Sequence, residues 1–248
     1  MTLYKSPDVN QVSYGESIGI ILLKTVTPAL PGDVACALSY SYPVRYKVIP
    51  EATIELMFTE PQKILDQFIS AGRELQQSGV KAITGDCGFM AALQKEMADA
   101  LDIPVFMSSL LQVPLIARML RSEQKIGVIT ANSRALREEY FQGAGIAAAT
   151  RNRLAIGGLE DKEHFKKYFL EEAPEVDPEL VEQEVRETAL ELQQKNNLGA
   201  FLVECSVLPP YSPAIQEATG LPVFDFITLI DHVHSAVVQT EEVFYNKT

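Results

Sequence analysis

Residues 83–90 read ITGDCGFM, and residues 201–208 read FLVECSVL. Each is an apolar run that ends in an acid, a cysteine and a small residue. The two stretches belong to a longer repeat: Cys87 to Pro104 spans 17 residues, and so does Cys205 to Pro222. At a fixed offset of 118, Ala82 corresponds to Ala200, Ala100 to Ala218, and Pro104-Val105-Phe106 to Pro222-Val223-Phe224. Upstream, IGII (18–21) matches IGVI (126–129) at an offset of 108, so the second half carries ten extra residues. The charged stretch 160–179 is the expected place for them, read as solvated helix and linker.

Around these anchors, short Val- and Ile-rich runs alternate with amphipathic stretches. Residues 18–23, 80–84, 103–107, 125–130, 199–203 and 221–225 read as buried strands. Residues 60–78, 91–101, 133–142 and 178–194 carry helical spacing. Alternation of this kind predicts an α/β fold. Because it repeats, it predicts two pseudo-symmetric lobes, each a mostly parallel sheet flanked by helices, with a cleft between them. Lobe one is expected at 1–115, with a C-terminal helix over 226–248 packing back on it, and lobe two at 116–225.

Composition narrows the function. With 21 Lys and Arg against 33 Asp and Glu, the 248-residue chain has a net charge of −12. That disfavours nucleic acid and anionic membrane as partners. The N-terminus lacks the pattern of a secretory signal, and no apolar run reaches membrane-spanning length. Three cysteines, Cys36, Cys87 and Cys205, are an odd count with no zinc-ligand spacing, which fits a reducing cytoplasm and no metal. His232 and His234 stand two apart and share no helical face.

Ligands of open parallel sheets sit beyond the carboxyl ends of the strands, where Cys87 and Cys205 are both expected. Facing lobes would then set two thiols on opposite sides of one pocket, able to pass a proton through a carbon between them. The helix expected after Cys87 would favour a thiolate there through its dipole and free N–H groups. Beyond Cys205, Ser212 is a candidate cap and Pro213 a candidate first helical position. Gly88, Ser206, Thr130, Asn132, Thr27 and Pro28 are the expected substrate-binding residues, all at strand-end turns. For Asn132 and Ser133, helix capping competes with ligand binding. Tyr42 and Tyr211 could line the cleft or simply pack. Asp86 and Glu204 would raise the cysteine pKa values if they faced the thiols. Strand alternation suggests instead that they turn away and bond loop N–H groups.

Those residues carry a resemblance. PGDVACALSYSYPVRYKVI (31–49), DCGFMAALQ (86–94), PVFMSSLLQVP (104–114), IGVIT (126–130) and ECSVLPPYSPAI (204–215) resemble segments of the aspartate/glutamate/hydantoin racemase superfamily, in a racemase-like branch. The resemblance implies no cofactor, a small anionic or amide substrate, a homodimer, and Cys87 and Cys205 acting as base and acid. The expected activity is racemisation or epimerisation at a carbon next to a carboxylate or amide carbonyl. Cysteine-dependent cis-trans isomerisation of a dicarboxylate such as maleate needs the same pair. A binding protein without turnover is the alternative outside enzymes. The chain departs from the family where Phe89 and Val207 stand in place of small polar residues, which points to a bulkier or more apolar substrate.

Overall fold

The computed structural model describes residues 4–5, 11–240 and 246–247. β1 (Tyr4–Lys5) pairs antiparallel with the last strand, Asn246–Lys247. β2 (Ile18–Leu22) lies between β3 (Val44–Val48) and β4 (Ala82–Gly85) in a parallel sheet of order β3-β2-β4. β5 (Lys125–Thr130), β6 (Leu154–Gly158), β7 (Leu198–Val203) and β8 (Val223–Phe224) form a second parallel sheet of order β6-β5-β7-β8. Every residue of β4 and β7 is buried, so these strands need apolar side chains on both faces.

The two sheets repeat one pattern. Ile18 pairs with Ala82 and Ile126 with Ala200; Ile83 bridges Val105 and Phe201 pairs with Val223. Members of each correspondence are separated by the offsets read in the sequence. Val44 and Leu154, the partners of Ile18 and Ile126, differ by 110, so two of the extra residues precede β6 and eight lie between β6 and β7.

Helices follow local chemistry. The helix Pro178–Lys195 starts where the Asp177 carboxylate accepts the N–H groups of Glu179 and Leu180, with Pro178 in its first turn. The helix Ser212–Thr219 ends at Gly220, whose φ of 68° suits a residue without a Cβ. The helix Phe226–Val237 packs Phe226, Leu229 and Ile230 against Ile18, Ile20, Ala82 and Phe106.

Several boundaries differ from expectation. That last helix stops at Val237 instead of running through 226–248, and Asn246–Lys247 is a strand; residues 241–245 and 248 lie outside the described residues. The helix expected over 60–78 begins only at Leu65 and runs to Gln77; Pro61–Ile64 is a tight 3-10 turn, and a separate helix, Ile54–Thr59, ends just before Pro61, which lacks an N–H. The 103–107 run contributes only the Val105 bridge. β3 and β6 escaped notice because VRYKV and LAIGG are edge strands with no continuous apolar run. The stretch 160–179 is not wholly solvated: Phe165, Tyr168 and Phe169 are buried, and the Glu184 carboxylate accepts the His164 and Phe165 N–H groups.

Candidate active site

The carboxyl ends of β4 and β7 meet at the lobe boundary, and their loops bond directly. The Ser206 hydroxyl donates to the Asp86 carbonyl, and the Val34 N–H donates to the Ser206 carbonyl at 3.3 Å. Ser109, after the Val105 bridge, donates to the Val203 carbonyl at 3.0 Å. These bonds bring Cys87 and Cys205 into one electrostatic neighbourhood; both are buried free thiols.

Burial pushes both thiols well above their usual range, with Glu204 the second cause for each. Donation by the Phe89 and Met90 N–H groups to Cys87, and by the Val207 N–H to Cys205, works in the opposite direction without prevailing. The thiolate expected at a helix N-terminus is therefore corrected: Gly88–Leu93 is a 3-10 turn, and the α-helix begins only at Gln94. At neutral pH both cysteines rest protonated.

The preceding acids behave differently from one another. Asp86 turns away, as expected, and both its oxygens accept the Leu23 N–H, at 3.0 and 3.1 Å. Glu204 does not. Its Oε2 accepts the Thr130 hydroxyl at 2.7 Å, while its Oε1 is buried with no hydrogen-bond partner and lies against Gly88. Only a glycine leaves room there, which gives Gly88 a steric role. Burial raises Asp33, Asp86 and Glu204 to about 7 each.

A small closed cavity of about 40 Å³ adjoins the cysteine loops, lined in part by Thr27, Asp33, Asp86, Phe169 and Ser206. A water molecule's share of the liquid is ~30 Å³, so the cavity is close to water-sized. Segment 24–36 covers it, pinned by Tyr168 donating to the Pro28 carbonyl at 2.8 Å and by Tyr40 donating to the Val34 carbonyl at 2.9 Å. A wider depression of about 770 Å³ opens nearby between the lobes, lined by Phe58, Asn132, Arg134 and Leu170 among others, and it does not reach either cysteine.

Of the sequence candidates, Thr27 and Ser206 line the small cavity, Cys87, Gly88 and Cys205 lie on the adjoining loops without lining it, and Pro28 holds the covering loop through its carbonyl. Thr130 is buried and serves Glu204. Asn132 lies in the wider depression, and its side chain accepts the Arg134 and Ala135 N–H groups in a turn; the helix there starts at Glu138, not 134. Ser212 is the first helical residue, not the cap, and donates to Asp225. Tyr42 donates to Asp231 and stacks on His234 at a centroid distance of 3.4 Å, packed against the C-terminal helix. Asp33, Phe169 and the inward turn of Glu204 were not anticipated. Asp33 stands in the quoted 31–49 stretch, but nothing in its neighbours marks it as buried.

One expected outcome concerns pH. Asp86 is neutral in the folded state up to about 7, against 3.8 for the free group. Between those values the folded chain binds the extra proton, so stability falls as pH rises through this window. At 1.36 kcal/mol per unit the contribution is on the order of 4 kcal/mol. Asp86→Asn keeps an oxygen for the Leu23 N–H. Urea titrations should find this variant gaining stability relative to the parent at pH 8 and losing that gain at pH 4. Parallel pH curves for the two proteins would count against a buried neutral carboxyl.

Comparison with solved structures shows the fold. Glutamate racemase from Bacillus anthracis superposes with a TM-score of 0.59 at 17% identity, covering 92% of this chain and 84% of that one. Allantoin racemase from Klebsiella pneumoniae gives 0.59 at 16%, covering 90% and 88%. The fold is the one these two racemases share. No family model matches the chain. Among curated proteins, dimethylsulfoniopropionate lyase 3 of Emiliania huxleyi is 36% identical over 220 residues, 86% of this chain and 57% of the relative. The dimethylsulfoniopropionate lyase of Durusdinium sp. clade D is 31% identical over 232 residues, 92% of this chain and 75% of the relative. The chain belongs to the dimethylsulfoniopropionate lyase family. It spans only 57% of the length of the Emiliania huxleyi relative.

Proposed function

We propose that this chain is a cofactor-free carbon–sulfur lyase that removes the hydrogen next to a carboxylate and expels the β-sulfonium group as a neutral sulfide. On dimethylsulfoniopropionate the products are dimethyl sulfide, acrylate and a proton. The elimination shares its first step with racemisation: a base takes the α-hydrogen and the site stabilises the charge that develops. The difference lies at the β-carbon, where a neutral sulfide leaves instead of a proton returning.

The observation that carries this reading is the sign of charge around the closed cavity. Asp33 and Asp86 line it together with the Phe169 ring, and its lining includes no lysine or arginine. Both carboxyls sit near 7, so a bound sulfonium cation would draw them into their ionised form and would also be attracted by the aromatic face, whereas an anionic dicarboxylate would hold them protonated. The family membership points to the same substrate class. Entry requires segment 24–36 to move, since the closed cavity is smaller than any such molecule.

The racemase reading keeps one observation in its favour, the pair of thiols set about a pseudo-twofold axis. The two readings separate in one assay. Incubated with dimethylsulfoniopropionate, the protein should release dimethyl sulfide into the headspace. Incubated with amino acids or hydantoins in deuterated water, it should leave their α-hydrogens unexchanged. No sulfide together with α-exchange would turn the assignment to a racemase.

A further inference from the structure

A racemase closes its proton cycle, because the proton one thiol takes is matched by the proton the other gives. A lyase does not. Each elimination leaves one proton on the base, and here the base must also be made, because both thiols rest protonated. The reaction therefore requires a group that accepts a thiol proton inside the closed site and later discharges it. Resting on the lyase reading, we propose that Glu204 is this proton relay, acting through the sulfur atoms without touching the substrate.

Its position argues the case. Glu204 directly precedes Cys205 in the chain and lies over Gly88, the residue directly after Cys87, so one carboxyl reaches both cysteine loops across the lobe boundary. It is fully buried, and Oε1 has no partner while Oε2 is fixed by Thr130. A buried acceptor without a donor is costly, and a thiol proton is the donor this site can supply. The titratable groups around the pair are Glu204, which acts on both thiols, Asp86 and Tyr140 beside Cys87, and Asp33 and Tyr168 beside Cys205, and the two thiols also act on each other. Ser109 fixes the Glu204 backbone from the other lobe, donating to its carbonyl at 3.3 Å.

The steps balance. The thiol S–H proton passes to the Glu204 carboxylate, leaving a thiolate and a carboxylic acid. The thiolate forms an S–H bond with the α-hydrogen as the Cα–H electron pair becomes the C=C bond and the Cβ–S⁺ pair leaves with dimethyl sulfide. The thiol is thereby restored, and the Glu204 proton is lost to solvent when segment 24–36 opens. A carboxyl near 7 is ionised often enough to accept the proton and acidic enough to release it.

The test pairs two readouts. Thiolate ultraviolet absorbance is titrated against pH in the parent chain and in Glu204→Gln, where Cys36 contributes equally and cancels in the difference. Loss of the neighbouring negative charge should lower the midpoint of the paired thiols by about one pH unit, while sulfide release falls about 10²-fold. Glu204→Asp should recover part of that release. A more acidic thiol in a slower enzyme is a result that loss of packing alone does not give. An unmoved midpoint, or undiminished release in Glu204→Gln, would overturn the relay. If the parent releases no sulfide, the lyase reading fails, and the relay fails with it only if the midpoint is also unmoved. Should Glu204→Gln not fold, Thr130→Val provides the second arm. It removes the donor that holds the carboxyl down, so the acid limb of the pH–rate profile should move to higher pH, and an unmoved limb counts against the relay.

Discussion

Replacing the cysteine that takes the α-hydrogen, whether Cys87 or Cys205, with serine should reduce sulfide release by about 10³-fold, and replacing the other should cost less, while far-ultraviolet dichroism and urea midpoints stay close to the parent. A serine hydroxyl is far less acidic than a thiol, so a buried carboxyl such as Glu204 would not ionise it, and a general base contributes ~10²–10⁴-fold. The same variants are nearly isosteric, and a hydroxyl oxygen can accept from the N–H groups of Phe89 and Met90 at Cys87 and of Val207 at Cys205 as the sulfur does. The comparison between the two is informative. In a two-base racemase both substitutions abolish net inversion. In the lyase only the cysteine that takes the α-hydrogen is indispensable to chemistry, so unequal losses identify it. Full activity in both variants would remove the thiols from the mechanism.

The second large effect is expected at Gly88. A methyl group there would overlap the Glu204 carboxyl and also the Glu204 backbone carbonyl. The side chain can swing aside; the backbone carbonyl, which accepts from Ser109, cannot do so without parting the lobes. Overpacking of this kind costs about 1–3 kcal/mol, and displaced Glu204 would bury a carboxyl without Thr130. Gly88→Ala should therefore lose about 3 kcal/mol in urea unfolding and most of its activity. A midpoint within error of the parent would mean that the loop after Cys87 is softer than its contacts imply.

How far the sequence reached can be judged from particular residues. The repeat was legible because parallel strands buried on both faces force apolar runs, and equal spacing then places Ile18 and Ile126, Ala82 and Ala200 in one register. The cysteine loops followed from that register, since both end a central strand. Edge strands were not legible: half-exposed residues tolerate the cations of VRYKV. The acids were harder still. Strand alternation turns both Asp86 and Glu204 away from the thiols, and it holds for Asp86. It fails at Glu204 because Gly88, from the opposite lobe, leaves a space that only a side chain without a neighbouring Cβ can occupy. That is a tertiary fact, with no local trace. Asp33 and Phe169 reach the cavity from a covering loop and from the extra chain of the second half, neither of which has a counterpart to be compared with.

The eight residues inserted between β6 and β7 also bear on stereochemistry. The lengthened connection supplies the Tyr168 clasp and the Phe169 wall to one side of a site whose two halves otherwise repeat. A ligand enclosed there meets unlike surroundings left and right, so the two hydrogens of a CH₂ group cease to be equivalent. Substrate deuterated at one prochiral position should therefore yield acrylate that either keeps or loses its label almost completely, never an even mixture.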